Sequence, residues 1–246
     1  MFYKILTLLL SVTTFSFADY AEFSRKTGLF SSRDKLSVYF FDSKNERLSL
    51  KDETDISDQK YGSLAKAMSK DSCLAGVNGN FFSADKQGSP IGLTIEEGVQ
   101  ISPFKKGAFT VAGILFDTGK NITLMRSTAF DPKKHPKILT AIQSGPFLVE
   151  ANKITPHLNN EKSTYRTFVA TDGQGKWCIG VSSSLTLHEL AQWLATPGTL
   201  GDFKVHTALN LDGGSSSSFW EKKTGTYFPS FKSVRNYLGI KPRGEK

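Results

Sequence analysis

The chain has 246 residues, 39% of them hydrophobic, 12% aromatic and 22% charged. A hydrophobic share of that size buries a core, which excludes a disordered chain. Past residue 18 no apolar run is long enough to cross a bilayer, which excludes a polytopic membrane protein. The formal charge of +8 favours an anionic partner without naming one.

The first stretch, Met1 to Ala18, carries Lys4, then the apolar run Ile5-Leu6-Thr7-Leu8-Leu9-Leu10, and ends in Ser16-Phe17-Ala18. Small residues at −3 and −1 read as a secretory signal peptide cut before Asp19, leaving a mature domain over 19–246 that is periplasmic or secreted. The alternative is an uncleaved anchor, which needs an apolar run of about 20 residues, longer than this one. In an oxidising compartment Cys73 and Cys178 permit one disulfide, although their spacing does not establish it. Two isolated cysteines do not supply a structural zinc site.

Leu36, Val38 and Phe40 alternate with Ser37 and Tyr39, the pattern of a half-buried strand. The charged stretch Lys44 to Lys60 reads as a solvated hairpin and loop. Leu64, Ala65, Ala67 and Met68 predict a helix. Hairpins follow: Ile91–Ile95 with Val99–Ile101 about Glu97-Gly98, then Phe109–Phe116 with Ile122–Met125 about Thr118-Gly119-Lys120-Asn121. Two more are expected over Phe147–Ile154, turning at Ala151-Asn152, and over Thr167–Val181, turning at Asp172-Gly173-Gln174-Gly175. Leu187, Leu190, Ala191 and Leu194 predict a second helix, opened by Thr186 with Glu189 as a capping box and stopped by Pro197-Gly198. The last residues, Lys241 to Lys246, read as a frayed tail. No linker or repeat divides the chain. The expected class is α+β: a single domain, mainly an antiparallel or mixed β-sheet with hairpins and a few flanking helices.

Chemistry concentrates where apolar strands break into polar corners. In Val205 to Ser218 a strand runs into Asp212, Gly213, Gly214 and the hydroxyls of Ser215 and Ser216. Paired glycines bring backbone N–H groups close to a ligand, serines donate to anionic oxygens, and the acid at the strand exit suits a base, a nucleophile or a metal ligand. A plain Asp-Gly turn is the competing reading. Gly76 to Phe82 presents Asn78 and Asn80, whose amides both donate and accept, as sugar hydroxyls require. Gln143 to Phe147 repeats the form with Ser144 and Gly145, Pro146 reading as a simple turn. Among many lysines, Arg166 beside Thr167 and Arg235 beside Asn236 offer forks for phosphate oxygens. His188 and His206 read as packed or surface residues, and the serine run lacks the Gly-x-Ser-x-Gly elbow of a Ser-His-Asp hydrolase.

Taken in order, Asn78-Gly79-Asn80-Phe81-Phe82, Gly88-Ser89-Pro90-Ile91-Gly92-Leu93, Ser144-Gly145-Pro146-Phe147-Leu148-Val149, Arg166-Thr167, Asn210 to Ser216 and Arg235-Asn236 resemble the phosphodiester glycosidase family, over roughly Ser72 to Pro242. The resemblance implies hydrolysis of a glycosyl-1-phosphodiester at the bond between anomeric carbon and oxygen, releasing a sugar and a phosphomonoester. It implies the carboxylate role for Asp212 and the phosphate for Arg166 and Arg235. Asn78, Asn80, Ser144, Gly145, Thr167, Asn210, Gly213, Gly214, Ser215 and Ser216 would then line the substrate site. Asn80 and Ser215 stand where the family commonly has glycine, which narrows the expected pocket, changes the acceptor or marks a protein that binds without turning over. Asp85 and Asp172 are the other carboxylates weighed, both in turn-like settings. No cofactor is required by the sequence; Ca²⁺ or Mg²⁺ on Asp212 with Asn78, Asn80 or Asn210 is a further possibility from their hard oxygens, although the spacing fits no standard loop.

The rival class is a non-catalytic envelope protein that binds anionic polysaccharide and assists exopolysaccharide assembly or export. Product release from a glycosyl-1-phosphodiester separates the two. A nucleic-acid partner is disfavoured by dispersed basic residues and by the signal peptide. Oligomeric state is not encoded in any motif.

Overall fold

The computed structural model describes residues 19–27, 32–107, 109–135 and 137–244, so the predicted signal peptide lies outside the described residues. In chain order the elements are β1 (Tyr20–Thr27), β2 (Ser32–Asp42), β3 (Glu46–Asp52), helix α1 (Leu64–Lys70), β4 (Ala75–Asn78), β5 (Thr94–Glu96), β6 (Val99–Ser102), β7 (Gly113–Asp117), β8 (Ile122–Arg126) and β9 (Thr140–Ser144). They continue as β10 (Phe147–Glu150), β11 (Lys153–Ile154), β12 (Thr164–Thr171), β13 (Lys176–Leu185), helix α2 (Leu187–Ala195), β14 (Thr207–Asn210), β15 (Phe219–Glu221), β16 (Tyr227–Phe228) and β17 (Asn236–Pro242).

Strands form three sheets: β1-β2-β13-β12-β14-β10-β11, β16-β15-β4-β17-β3 and β6-β5-β9-β7-β8. Neighbours in each are antiparallel, in keeping with the α+β expectation. The predicted hairpins pair as read: β5 with β6, β7 with β8, β10 with β11, and β12 with β13. One segment differs, because Phe109–Val111 is a short 3₁₀ turn before β7 rather than part of the strand.

Side chains alternate across a strand, so each face of the seven-stranded sheet draws its own partner. On one face Leu36, Val38, Phe168, Ala170 and Cys178 pack under Leu187, Leu190, Ala191 and Leu194 of α2. On the other, Tyr39, Phe41, Val169, Ile179 and Leu209 meet Leu48, Leu50, Val77, Leu238 and Ile240 of the second sheet and Leu115 and Ile142 of the third. Both faces are therefore covered. The half-buried reading of β2 fails for this reason: Ser37 and Tyr39 are as buried as Leu36 and Val38.

The stretch Lys44 to Lys60 is likewise not a solvated hairpin. Within it β3 is a buried strand paired to β17, with Lys51 met by Glu96, Glu97 and Asp71 and Asp52 by Arg235, whereas Lys44, Asn45, Thr54, Ser57, Asp58 and Lys60 are exposed as a solvated turn and loop would have them. Nor is the C-terminal run frayed at its start. Lys241 and Pro242 belong to β17, Lys241 Nζ reaches Asp71 at 3.0 Å, and Arg243 donates to the carbonyls of Ser43 and Gly119.

Both predicted helices form, and α2 keeps its predicted start and stop. Thr186 Oγ1 accepts from Glu189 N at 3.1 Å while Glu189 accepts from Thr186 N at 2.8 Å, the reciprocal bonds of a capping box. Cys73 and Cys178 are free thiols in separate core clusters, Cys73 under α1 with Met68 and Tyr237, Cys178 under α2. The disulfide that the sequence permits is therefore not formed, and burial pushes the Cys73 thiol up to about 12.

Candidate active site

The exit of β14 is tied to two sheets at once. Leu211 N donates to Thr167 O of β12 at 2.8 Å, and the next residue, Asp212, donates its N–H to Gly79 O just beyond β4 at 3.2 Å. Asn78, 1% exposed at the end of β4, holds the corner from beneath. Its Nδ2 donates to Asp212 O at 2.7 Å, while its Oδ1 accepts from Thr167 Oγ1 at 2.7 Å and from Ser218 N at 3.0 Å. Thr167 Oγ1 also lies 3.1 Å from Ser217 Oγ. Asn210 brings in a further segment: its Nδ2 donates to Gly145 O at 3.0 Å and its N–H to Pro146 O at 2.9 Å, across the cis Gly145–Pro146 bond. Two glycines are required by closeness. A Cβ on Gly79 would fall 1.9 Å from Asn236 Oδ1, and one on Gly145 would fall 2.1 Å from Phe109 O.

Asn80 and Asn236 form a reciprocal amide pair beside this corner. Asn236 Nδ2 donates to Asn80 Oδ1 at 2.8 Å, Asn80 N donates to Asn236 Oδ1 at 3.2 Å, and Asn80 Nδ2 reaches Thr94 Oγ1 at 3.1 Å. The Asn80 side chain thus points into the protein and narrows no cleft. Arg235 also faces inward. Its Nε and Nη2 grip the two oxygens of Asp52 at 2.7 and 2.8 Å, and Nη1 donates to Gln87 O at 3.1 Å. In this arrangement the Arg235 fork, expected at a phosphate, is engaged by a buried carboxylate and ties β3, β17 and the loop before Pro90 together. The polar atoms of Asn78, Asn80 and Thr167 likewise meet protein partners.

What remains open gathers around Asp212. Ser215 is exposed, and Asp212, Gly213 and Gly214 are half-buried, with Gly214 at φ +64° opening a 3₁₀ turn over Gly214–Ser216. Gly213 N donates to Asp212 Oδ1 at 2.9 Å. Burial raises the Asp212 carboxyl above the usual carboxylate range, against the Ser216 hydroxyl, the Lys232 ammonium and the Gly213 N–H, which each pull it down. The Ser216 hydroxyl is near enough to act on the carboxylate yet makes no hydrogen bond of ordinary geometry. Arg166 lies on the same side: its Cδ is 3.8 Å from where a side chain on Gly213 would begin. Its Nε donates to Leu185 O at 3.0 Å and its Nη2 to Lys162 O at 2.6 Å, which fixes the guanidinium, and burial lowers its pKa.

Ser144 Oγ, Asn210 Oδ1, Ser216 Oγ and Ser218 Oγ are buried without a protein partner. Ser127 Oγ, Thr155 Oγ1 and Arg243 Nη2 are buried in the same way outside the motif segments; an unpaired atom of this kind costs about 1–3 kcal/mol. Lys232, absent from every sequence motif, also belongs here; its ammonium sits 4.9 Å from the Phe82 ring centroid, so a cation from the segment before β17 faces the Asn78 to Phe82 corner. Nothing in a lysine-rich chain singles it out beyond its place three residues before Arg235.

Other candidates stand apart. Asp85 is held in its own loop by Ser83 and Ser89, whose hydrogen bonds take its carboxyl down to about 2, and Asp172 accepts from Gln174 N and Lys176 N in the β12–β13 turn. His188 is on α2, and His206 bonds Thr207 at the far end of β14 from Asp212. Among the described residues no three of His, Cys, Asp and Glu gather as a metal site. Of the amide oxygens weighed as cation ligands, those of Asn78 and Asn80 accept from protein donors, whereas Asn210 Oδ1 has no protein partner.

The phosphodiester glycosidase family model matches residues 71–241. No curated protein is significantly similar to the chain in sequence. Among solved structures, the catalytic domain of zebrafish N-acetylglucosamine-1-phosphodiester α-N-acetylglucosaminidase, auto-inhibited by its pro-peptide, superimposes with a TM-score of 0.65 at 15% identity, covering 93% of this chain and 84% of that one. A hypothetical protein from Synechocystis gives a TM-score of 0.54 at 13% identity, covering 88% of this chain and 61% of that one. A protein from Burkholderia pseudomallei K96243, titled "Putative exported protein", gives 0.50 at 12%, covering 85% and 74%. Identities this low show a shared fold. With the family model spanning most of the chain and its motif segments meeting at one corner, the protein belongs to the phosphodiester glycosidase family.

Proposed function

We propose that the protein is a hydrolase of glycosyl-1-phosphodiesters. Water is added at the anomeric carbon, the bond from that carbon to the phosphate oxygen breaks, and the electron pair leaves on the phosphomonoester. Phosphate is a good leaving group, so the demands are a carboxylate at the sugar and cations at the phosphate. Asp212 supplies the carboxylate, Arg166 and Lys232 the positive charge, and the Gly213–Ser216 turn its N–H groups and hydroxyls. Asn78, Thr167 and Asn210 position Asp212 rather than touch substrate. Export beyond the cytoplasm, directed by residues 1–18, is part of the same reading.

The observation that carries it is the meeting of segments near residues 78, 145, 167 and 212 at one half-buried acid with a raised pKa. The test is release of sugar and phosphomonoester from a synthetic glycosyl-1-phosphodiester. Asp212→Asn should lose at least about a thousandfold in kcat while keeping the wild-type melting temperature at neutral pH or exceeding it, because the ionisation penalty of a buried carboxylate is removed. Failure of the wild type to form product at any enzyme concentration, with anionic polysaccharide still bound, would establish the non-catalytic alternative.

A further inference from the structure

Beside the Asp212 corner is a cavity of about 310 Å³, whose walls include Tyr165, Val181, Phe228 and Phe231. It shares parts with the candidate site. Tyr165 immediately precedes Arg166, and its carbonyl lies 3.0 Å from where a side chain on Gly213 would begin. Phe231 N donates to Ser215 O at 2.8 Å, and Ser217, which lines the cavity, touches Thr167. The rings are poorly covered for their size. Phe231 is 78% exposed, Tyr165 47% and Phe228 43%, and Tyr165 and Phe231 lean together with centroids 6.1 Å apart. Large exposed apolar side chains grouped beside a polar site mark a place where apolar ligand surface is received.

The serines of the wall do not make it a sugar subsite. Ser182 Oγ donates to Ser183 O at 2.8 Å, Ser183 Oγ accepts from Lys35 N at 3.0 Å, Ser217 is engaged with Thr167, and Ser37 is buried against the Tyr20 hydroxyl. Their hydrogen bonds run within the protein, so the cavity presents chiefly ring faces and Val181. The exposed Lys35 stands at the lining, where a cation matches an anionic phosphate.

Resting on the phosphodiester reading above, we infer that this cavity takes the group beyond the phosphate, and that this group is apolar: an alkyl, prenyl or aryl aglycone rather than a second sugar. In the hydrolysis the anomeric carbon–oxygen bond breaks and the aglycone stays esterified to phosphate, so the cavity holds the leaving phosphomonoester by its tail. Each methylene it buries fully is worth up to about fourfold in binding.

The experiment compares glycosyl-1-phosphodiesters bearing methyl, octyl and equally long oligo(ethylene glycol) aglycones, with calorimetry of octyl phosphate against inorganic phosphate. Wild-type kcat/KM should be at least about tenfold higher for octyl than for methyl or the ether. Phe231→Ser, at an exposed position where folding is not at risk, should remove most of that preference through KM while leaving the methyl substrate within about twofold. Octyl phosphate should bind at least about tenfold more tightly than inorganic phosphate, and this difference should shrink in the variant. If no substrate is hydrolysed, the activity reading falls, yet the calorimetric preference and its loss in Phe231→Ser would still uphold the cavity. Equal binding of the two phosphates, equal rates across the three aglycones, or a wild-type dimer dispersed by Phe231→Ser without any aglycone preference, would overturn it.

Discussion

Replacing Arg235 by Met tests whether a residue that sequence reasoning places at a phosphate is instead part of the scaffold. The guanidinium makes two bonds to Asp52, 2.7 and 2.8 Å long, with the side chains only 8% and 5% exposed, and a third to Gln87 O at 3.1 Å. Removing one member of a buried pair strands the other, at about 3–5 kcal/mol, whereas replacing both by apolar groups of similar volume is often close to neutral. In a domain of this size about 1 kcal/mol moves Tm by roughly 2–4 °C. Arg235→Met should therefore lower Tm by roughly 6–20 °C, and Asp52→Leu with Arg235→Met should recover much of that loss. The assay is thermal unfolding followed by circular dichroism, with kcat/KM on a glycosyl-1-phosphodiester measured at a temperature where each variant is folded. The double variant should retain activity within about tenfold. An Arg235→Met protein as stable as wild type but deprived of phosphodiester binding would refute the argument and return the fork to the substrate.

Lys232→Met removes a cation that pulls the Asp212 carboxyl down while burial pushes it up. Its carboxylate should form only at higher pH, so the acidic limb of kcat/KM should move to higher pH, and an unmoved limb would detach Lys232 from Asp212. Asn80→Gly installs the residue usual in the family but deletes the buried bonds to Asn236 and Thr94. It should cost about 1–3 kcal/mol in denaturant unfolding with KM unchanged, and a lowered KM at full stability would mean that Asn80 does face the cleft. Dialysis against a chelator should leave turnover intact, because among the described residues no second carboxylate, histidine or cysteine pair gathers with Asp212 to hold an ion; loss restored by Ca²⁺ or Mg²⁺ would reverse this.

Features fixed by neighbours in sequence were legible. The capping box of α2 and the turns at Glu97-Gly98 and Ala151-Asn152 need only a few adjacent residues, and they fold as read. Features fixed from afar were not. Lys44 to Lys60 looks solvated because its charges find partners only in the folded chain: Asp52 is 183 residues from Arg235, and Lys51 is 45 from Glu96. The alternation in β2 misled for a related reason, since a strand with both faces covered still carries small and polar residues such as Ser37. At the site, ordered motifs located the corner but not the division of labour within it. An asparagine that recognises a sugar and one that braces a turn are the same letter. Only the bonds of Asn78 and Asn80 distinguish them, and Lys232 had no motif to announce it.

The corner at Asp212 joins residues separated by 134 positions at Asn78 and by 65 between Gly145 and Asn210. No hairpin contains it, and no single sheet does either. The acid acquires its surroundings only when separate layers have met, so a chain with its local hairpins formed and its layers undocked is rich in strand yet chemically idle. That dependence withholds the acid's surroundings until the last layer has docked, whatever order the hairpins form in.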